Sequence, residues 1–359
     1  MSPSRRSRRS ERGHGVGLML MLMLMLALVL LLVPASRALA QAKPTLEPKP
    51  TLEPRPPLEK VTIVTDWIPT GLRDLGYWLA RDKGWYAAEG LEVTIEPGRG
   101  SAQVAQVVSA GRADFGQMLP AVLVQSVARG VDLRAVAVIQ RSATQGLRMK
   151  PTIAKPKDLE GKTLGLVPGS VQHLLWPTFA ATLGIDAAKV NVVNVDQQTF
   201  ARLYADGRLD ATNADLDSGG SASRLRRAGA ADPVVPYADY LPMPGQSIVV
   251  RERLLKQRPE VVKAFLRATV RAWEYLLKNP REAIVEGARI AAKNVEGTSA
   301  DDIADDASHV PISLLRGRDG RPGVADVEQW TRMIALVQKA AGLARAPSVG
   351  EVVTSEFLP

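Results

Sequence analysis

The sequence predicts an α/β protein built as two lobes joined by two crossings. Three observations carry that expectation. Short apolar strands alternate with helical patterns from Val61 onward, and the alternation restarts after a polar, proline-bearing stretch at 150–157. A second such stretch, 233–244, leads into a mainly helical C-terminal third. The 359 residues are enough for two ordinary domains.

Each element follows from its own pattern. VTIVT (61–65) reads as a strand and Gly71–Ala88 as a helix, whose end Gly84 and Gly90 mark. LEVTI (91–95) alternates apolar and polar residues, as a half-buried strand does. A helix follows Ser101, Ala113–Gly116 is a short strand, another helix opens near Pro120, and Leu133–Ile139 is a further strand. The second series runs TLGLV (163–167), a helix to Leu183, NVVNV (191–195), a helix to Asp206, and LDATNA (209–214). QSIVV (246–250) precedes the helical region. There Pro259 starts a helix with Val262, Phe265, Leu266, Trp273, Leu276 and Leu277 on one face. Val327, Trp330, Ile334 and Val337 make a similar stripe, and both stripes read as core. One lobe is therefore expected at 61–150 plus 245–359 and the other at 151–244, with hinge bending at the crossings.

The N-terminal residues 1–40 read as an export signal. Arg5, Arg6, Arg8, Arg9 and Arg12 precede an uncharged run from Val16 to Val33, then Pro34 and the small-residue site Ala38-Leu39-Ala40. The run is also long enough to stay in the bilayer as an uncleaved anchor. Residues 41–60 follow as a proline-rich spacer, in which KPTLEP, KPTLEP and RPPLEK are near-copies of one hexad favouring polyproline II.

Composition removes several function classes. With no cysteine there is no disulfide, thiolate metal site or cysteine nucleophile. His14 lies in the export segment, which leaves His173 and His309, too few for a histidine metal centre. Six arginines against Glu11 in residues 1–40 contribute +5 of the net +9, leaving +4 dispersed over the rest, with no aromatic interleaving to suggest nucleic acid. No GxSxG, HExxH or P-loop pattern is present, so no enzyme, metal or cofactor is expected.

In open parallel sheets ligands collect beyond the carboxyl ends of strands. Four strand-to-helix loops fit. In DWIPTG (66–71), Asp66 accepts hydrogen bonds, and Trp67 either stacks on a ring or packs in the core. In PGRGSAQ (97–103), Gly100 and Ser101 form either a helix N-terminus facing a ligand or a plain capped turn. GQMLPA (116–121) offers Met118 and Leu119 as an adaptable apolar wall. PGSVQH (168–173) places Gly169, the cap Ser170, Gln172 and His173 together, His173 facing either ligand or solvent. Gln140, Ser142 and Gln145 lie near the first crossing. Asp215 and Asp217 either meet a ligand amine or are solvated loop acids.

Three stretches resemble one known family. They are DWIPTG with GYWLARDKGWYAAEGLEVTIEPGRGSAQVAQVVSAGRADFG (within 66–116), DLEGKTLGLVPGS (158–170) and RPEVVKAFLRATVRAWEYLLKNPREAI (258–284). Together they are similar to the periplasmic binding proteins for nitrate, alkanesulfonates and the thiamine pyrimidine precursor. The resemblance implies the two-lobed type II periplasmic binding protein fold, a periplasmic location, and delivery of a small molecule to the permease and ATPase of an ABC transporter. It implies that the loops at Trp67, Ser101, Met118 and Ser170 line the cleft. Asp66-Trp67 is similar to members that bind pyrimidines or flavins, although Ile68-Pro69-Thr70-Gly71 replaces the asparagine-rich continuation of many pyrimidine binders. The family's pyrimidine-forming enzymes carry a cysteine-rich motif, and this chain has no cysteine. The expected function is capture of an aromatic or heterocyclic solute by a monomer. Binding of an alkanesulfonate, nitrate or another organic anion is the alternative, followed by a pyrimidine-forming enzyme or an anchored sensor on the same fold.

Overall fold

The computed structural model describes residues 57–359 apart from 197–198, 218, 220 and 228–231. The expected export segment and most of the spacer lie outside the described residues. The last spacer residues, Glu59 and Lys60, are instead the start of the first strand.

Among the described residues, ten strands form two five-stranded sheets. The first sheet contains β1 (Glu59–Val64), β2 (Leu91–Glu96), β3 (Phe115–Met118), β4 (Arg134–Val138) and β10 (Ser247–Val250), in the order β2-β1-β3-β10-β4. The second contains β5 (Gln145–Met149), β6 (Thr163–Leu166), β7 (Asn191–Asn194), β8 (Ala211–Asp215) and β9 (Val234–Pro236), in the order β7-β6-β8-β5-β9. β1 pairs in parallel with β2 and β3, and β6 with β7 and β8. β2 buries Leu91, Val93 and Ile95 and exposes Glu92, Thr94 and Glu96, the period-two alternation of a strand with one face on the core.

Both sheets are mixed, not wholly parallel. β10 runs antiparallel to β3 and β4, and β5 antiparallel to β8 and β9, because these strands enter their sheets from the other lobe. The chain leaves the first sheet after Val138, ahead of the expected boundary at 150. The reason is β5, whose QGLRM sequence has a glycine and an arginine among its apolar residues and gives little strand signal. The two crossings, 139–144 and 237–246, lie side by side. Ile139 N donates to Gln246 O at 2.8 Å, Gly245 N to Gln140 O at 2.9 Å, and Ala143 N to Met243 O at 3.0 Å.

Helices cover the first sheet. The helix Pro259–Lys278 buries Val262, Phe265, Leu266, Trp273 and Leu276, as its stripe predicts, while Leu277 is half-buried. Phe265 stacks on Phe115 with centroids 3.9 Å apart and on Tyr86 at 5.2 Å, so helix and sheet are locked through one aromatic group. The helix Leu72–Asp82 packs against Pro259–Lys278 and Pro280–Asn294. The helix Val327–Ala341 buries Trp330, Met333, Ile334 and Val337 and touches both Pro120–Ala128 of the first lobe and Val171–Thr182 of the second. Val327, expected in that stripe, is 63% exposed because it is the helix's first residue. Backbone pairs Ala135–Val353 and Val138–Gly323 cover the free edge of β4, which blunts strand addition there.

A second bridge between the lobes is ionic. The helix Ser221–Arg227, inserted between β8 and β9, reaches the acidic helix Ala300–His309. Arg226 Nη2 lies 2.6 Å from Asp305 Oδ2 and 2.7 Å from Asp306 Oδ1, and Arg224 and Arg227 face Asp302.

The closeness of the crossings gives a direct test. A Cβ on Gly245 would lie 2.6 Å from Gln140 O and 2.7 Å from Ser142 O, both backbone atoms that cannot swing away. Gly245→Ala is expected to destabilise the protein by about 1–3 kcal/mol in a urea titration. An unchanged midpoint would mean that the crossings are not packed in this way.

Candidate functional site

The site is assembled from the carboxyl ends of strands, and Ser101 ties three of the first lobe's loops together. Its Oγ donates to Asp66 Oδ1 at 2.7 Å, after β1, and accepts from Leu119 N at 3.0 Å, after β3. Ser101 itself opens the helix Ser101–Ser109 after β2, where Gly100 takes φ 101° and donates its N–H to Asp66 O at 2.8 Å. That backbone conformation favours glycine. Thr65 fixes the turn further, donating to the Trp67 and Glu96 carbonyls.

The helix Leu72–Asp82 begins beside these loops, and its first turn receives a residue of the other lobe. Asp217, two residues beyond β8 and 2% exposed, accepts from Leu72 N at 2.5 Å and Arg73 N at 3.2 Å. Arg73 Nη1 lies 3.1 Å from Asp217 Oδ2, and Nη2 lies 3.2 Å from Asp215 Oδ2. Asp74, on the same turn, accepts from Gly71 N at 2.9 Å. The lobes touch at further points. A Cβ on Gly71 would lie 2.6 Å from Asp217 Oδ1, and one on Gly169 would lie 3.3 Å from Ala102 Cβ.

Each of the four carboxylates has its own glutamine. Gln246 Nε2 donates to Asp66 at 2.8 Å, Gln117 to Asp74 at 2.9 Å, Gln145 to Asp215 at 2.8 Å and Gln140 to Asp217 at 3.1 Å. All four amides therefore turn their NH₂ groups onto acids. Their Oε1 atoms are buried without a hydrogen-bond partner, as is Arg73 Nε, which lies 3.8 Å from Asp74 Oδ1. Buried polar atoms are rarely left unpaired. Four acids face one guanidinium, an excess of three negative charges when all are ionised, and four carboxamide oxygens add more acceptors. The cluster lies largely buried where the lobes meet, and it is richer in acceptors than in donors. Among the described residues no group of three or more His, Cys, Asp or Glu side chains is arranged to hold a metal ion.

Burial sets the protonation. It raises Asp66 against the hydrogen bonds from Ser101 and Gln246, and raises Asp217 against the pull of Arg73. Asp74 is pushed up to about 7, burial outweighing Arg73. Arg73 is held charged: burial works against it, but Asp215, Asp217 and Asp74 more than offset that.

Of the residues singled out from sequence, Asp66, Gly100, Ser101, Gln140 and Asp215 come together here, with Gln145 and Asp217. Trp67 is partly exposed next to Asp66. Met118 and Leu119 are buried in the apolar core. Ser142 is partly exposed in the crossing. Ser170 caps its helix, accepting from His173 N at 3.2 Å and Asn213 Nδ2 at 3.0 Å. Gln172 is buried and its Nε2 donates to the Ala214 carbonyl at 2.9 Å, a link between its helix and β8. His173 is exposed, as is Gly169. Sequence reasoning missed Arg73, Asp74, Gln117 and Gln246. The available signal was an Arg-Asp pair opening an otherwise apolar helix.

Comparison with known proteins agrees with this architecture. A family model described as NMT1/THI5 like matches residues 74–283. The riboflavin-binding protein RibY of Chloroflexus aurantiacus is 26% identical over 339 residues, 91% of each chain. A formylaminopyrimidine-binding protein of Halalkalibacterium halodurans is 22% identical, over 77% of this chain and 84% of that one. A 4-amino-5-hydroxymethyl-2-methylpyrimidine phosphate synthase of Saccharomyces cerevisiae is 23% identical, over 63% and 69%. Among solved structures, the alkanesulfonate-binding protein SsuA of Xanthomonas axonopodis pv. citri superposes with a TM-score of 0.63 at 15% identity, over 83% of this chain and 99% of that one. The fold is the two-lobed type II periplasmic binding protein fold.

Asp74 makes the electrostatics testable. Its carboxyl rises from the ordinary 3.8 to about 7 on folding, so the folded state holds the proton more tightly. That stabilisation is fully present below about pH 4 and is lost as pH rises through about 7. The melting temperature of the ligand-free protein is expected to fall by about 2 °C or more between about pH 5 and pH 8. Asp74→Asn, which keeps an acceptor for Gly71 N, should flatten that slope. A variant with the wild-type slope would remove Asp74 as its origin.

Proposed function

The chain belongs to the NMT1/THI5-like family, and from that premise we propose that it is an extracytoplasmic solute-binding protein for a donor-rich heterocycle, a pyrimidine or flavin-like ring. The ligand sits in the crevice between the lobes and passes to the permease and ATPase of an ABC importer. The protein acts as a monomer, exported by residues 1–40. Among the described residues no helix is long and apolar enough to cross a membrane.

The observation that carries this reading is the set of four Asp–Gln pairs around Arg73. Amino groups and ring N–H groups satisfy carboxylates and carboxamide oxygens, whereas a sulfonate or nitrate offers only acceptors and negative charge. Trp67 supplies a flat face for a ring, with Asp66 beside it to take a donor. The named ligands of the two binding-protein relatives, riboflavin and formylaminopyrimidine, are heterocycles of this kind. A binding role is favoured over synthesis because the riboflavin-binding relative spans nine-tenths of the chain, while the synthase relative covers 63% of it.

A thermal-shift screen of aminopyrimidines, flavins, alkanesulfonates and nitrate tests the proposal. A cognate heterocycle at about a hundredfold excess over its Kd should stabilise the protein by about 2.7 kcal/mol. Trp67→Ala should weaken that binding by about tenfold or more in a fluorescence titration. A saturable shift with a sulfonate and none with any heterocycle would overturn the assignment.

A further inference from the structure

Asp217 occupies a place that physical chemistry would otherwise assign to an anion. The first-turn N–H groups of a helix have no partner within the helix and carry its positive end, so they bind oxyanions readily. At the start of Leu72–Asp82 the donors converge more closely than a helix end requires. Leu72 N and Arg73 N supply two hydrogen bonds, Arg73 Nη1 a charged one, and Gln140 Nε2 a fourth, all to the carboxylate of Asp217. Gln140 is fully buried, with its Oε1 unpartnered at the same place.

The loop that delivers this carboxylate is built for the purpose. Asp217 N donates to Asp215 Oδ1 at 2.9 Å, and Asp217 O accepts from Arg73 Nη1 at 3.0 Å, so its backbone is held on both sides. Only hydrogen fits at Gly71, as a Cβ there would meet Asp217 Oδ1. Gly219, at φ +60°, presses so closely on Thr70 that a Cβ would lie 2.1 Å from its Oγ1. Two close glycine contacts, one from each lobe, seat a single acid.

We infer that Asp217 sets the charge class of the ligand by filling, with the protein's own carboxylate, an oxyanion site built around the start of the helix Leu72–Asp82. The inference rests on the interlobe crevice being the ligand site. A sulfonate, sulfate or nitrate binding at this helix start must eject a seated carboxylate and then face Asp215, 3.2 Å from Arg73 Nη2. A neutral or cationic donor-bearing guest meets no such conflict. The four donors stay in place when the acid is removed, so the scaffold would then accept an anion.

Isothermal titration of the wild-type protein and of Asp217→Ala with methanesulfonate, sulfate and nitrate tests this, with a melting curve to establish that each variant is folded. Asp217→Ala should bind at least one of these anions, about a hundredfold or more tightly than the wild type, since like charges placed together cost several kcal/mol. Asp217→Asn, which still fills the space, should gain no such affinity. If Asp217→Ala does not fold, Asp217→Ser serves in its place, and the wild type's refusal of all three anions is measured independently of any variant. Anion binding by the wild type, or a folded Asp217→Ala that binds none, overturns the inference. A wild type that binds heterocycles beside a variant that gains no anion would leave the proposed function standing and this inference failed. The reverse pattern would separate them the other way.

Discussion

A single guanidinium joins the two lobes in the form described. Arg73 stands on the first lobe and pairs with Asp215 and Asp217 on the second; Arg73 and Asp217 are buried and Asp215 is partly exposed. Removing two charges from water is costly, and their attraction repays this only when the remaining donors and acceptors are satisfied. Here the backbone N–H groups of Leu72 and Arg73 and the amide of Gln140 supply what the guanidinium leaves unmet. The net gain in stability from such a cluster is small. Its effect is on geometry: the pairing fixes the loop after β8 against the start of the helix Leu72–Asp82.

The fold exists to make that placement available. The loops at the carboxyl ends of β1, β2 and β3 converge through Ser101, and the strands β6 and β8 bring their own loops to the same side. Two hydrogen-bonded crossings leave the lobes joined by a narrow connection, the arrangement from which hinge closure is built. The Arg226 contacts to Asp305 and Asp306 form a second interlobe tie. It is partly exposed at the arginine and so more open to screening by salt. Closure therefore draws on a buried cluster for register and on a partly exposed one for added hold.

Much of this is legible in the sequence. The strand-to-helix alternation marks most of the elements, and glycine and capping residues after apolar strands mark the loops bearing Asp66, Ser101 and Ser170. What the sequence hid was pairing over distance. Leu72 and Asp217 are 145 residues apart, and nothing local to either announces the other. Arg73 and Asp74 read as the polar start of an apolar helix, a place where charges usually meet solvent. The glutamines were obscured for a related reason: Gln117 lies inside β3 and Gln246 just before β10, where an amide reads as a tolerated neighbour of core residues. The softness that suits Met118 to a pocket wall also suits it to filling a core, and the core is where it lies. The early start of the second lobe escaped notice because β5 is short and its partners, β8 and β9, come more than sixty residues later.

The account as a whole turns on the crevice being rich in acceptors and closed to anions. Mass spectrometry of small molecules released from the full chain, after production in its native host, measures that property without choosing a ligand in advance. The account predicts one equivalent of a neutral or cationic heterocycle that carries amino or ring N–H donors. One equivalent of a sulfonate, nitrate or other oxyanion would contradict it.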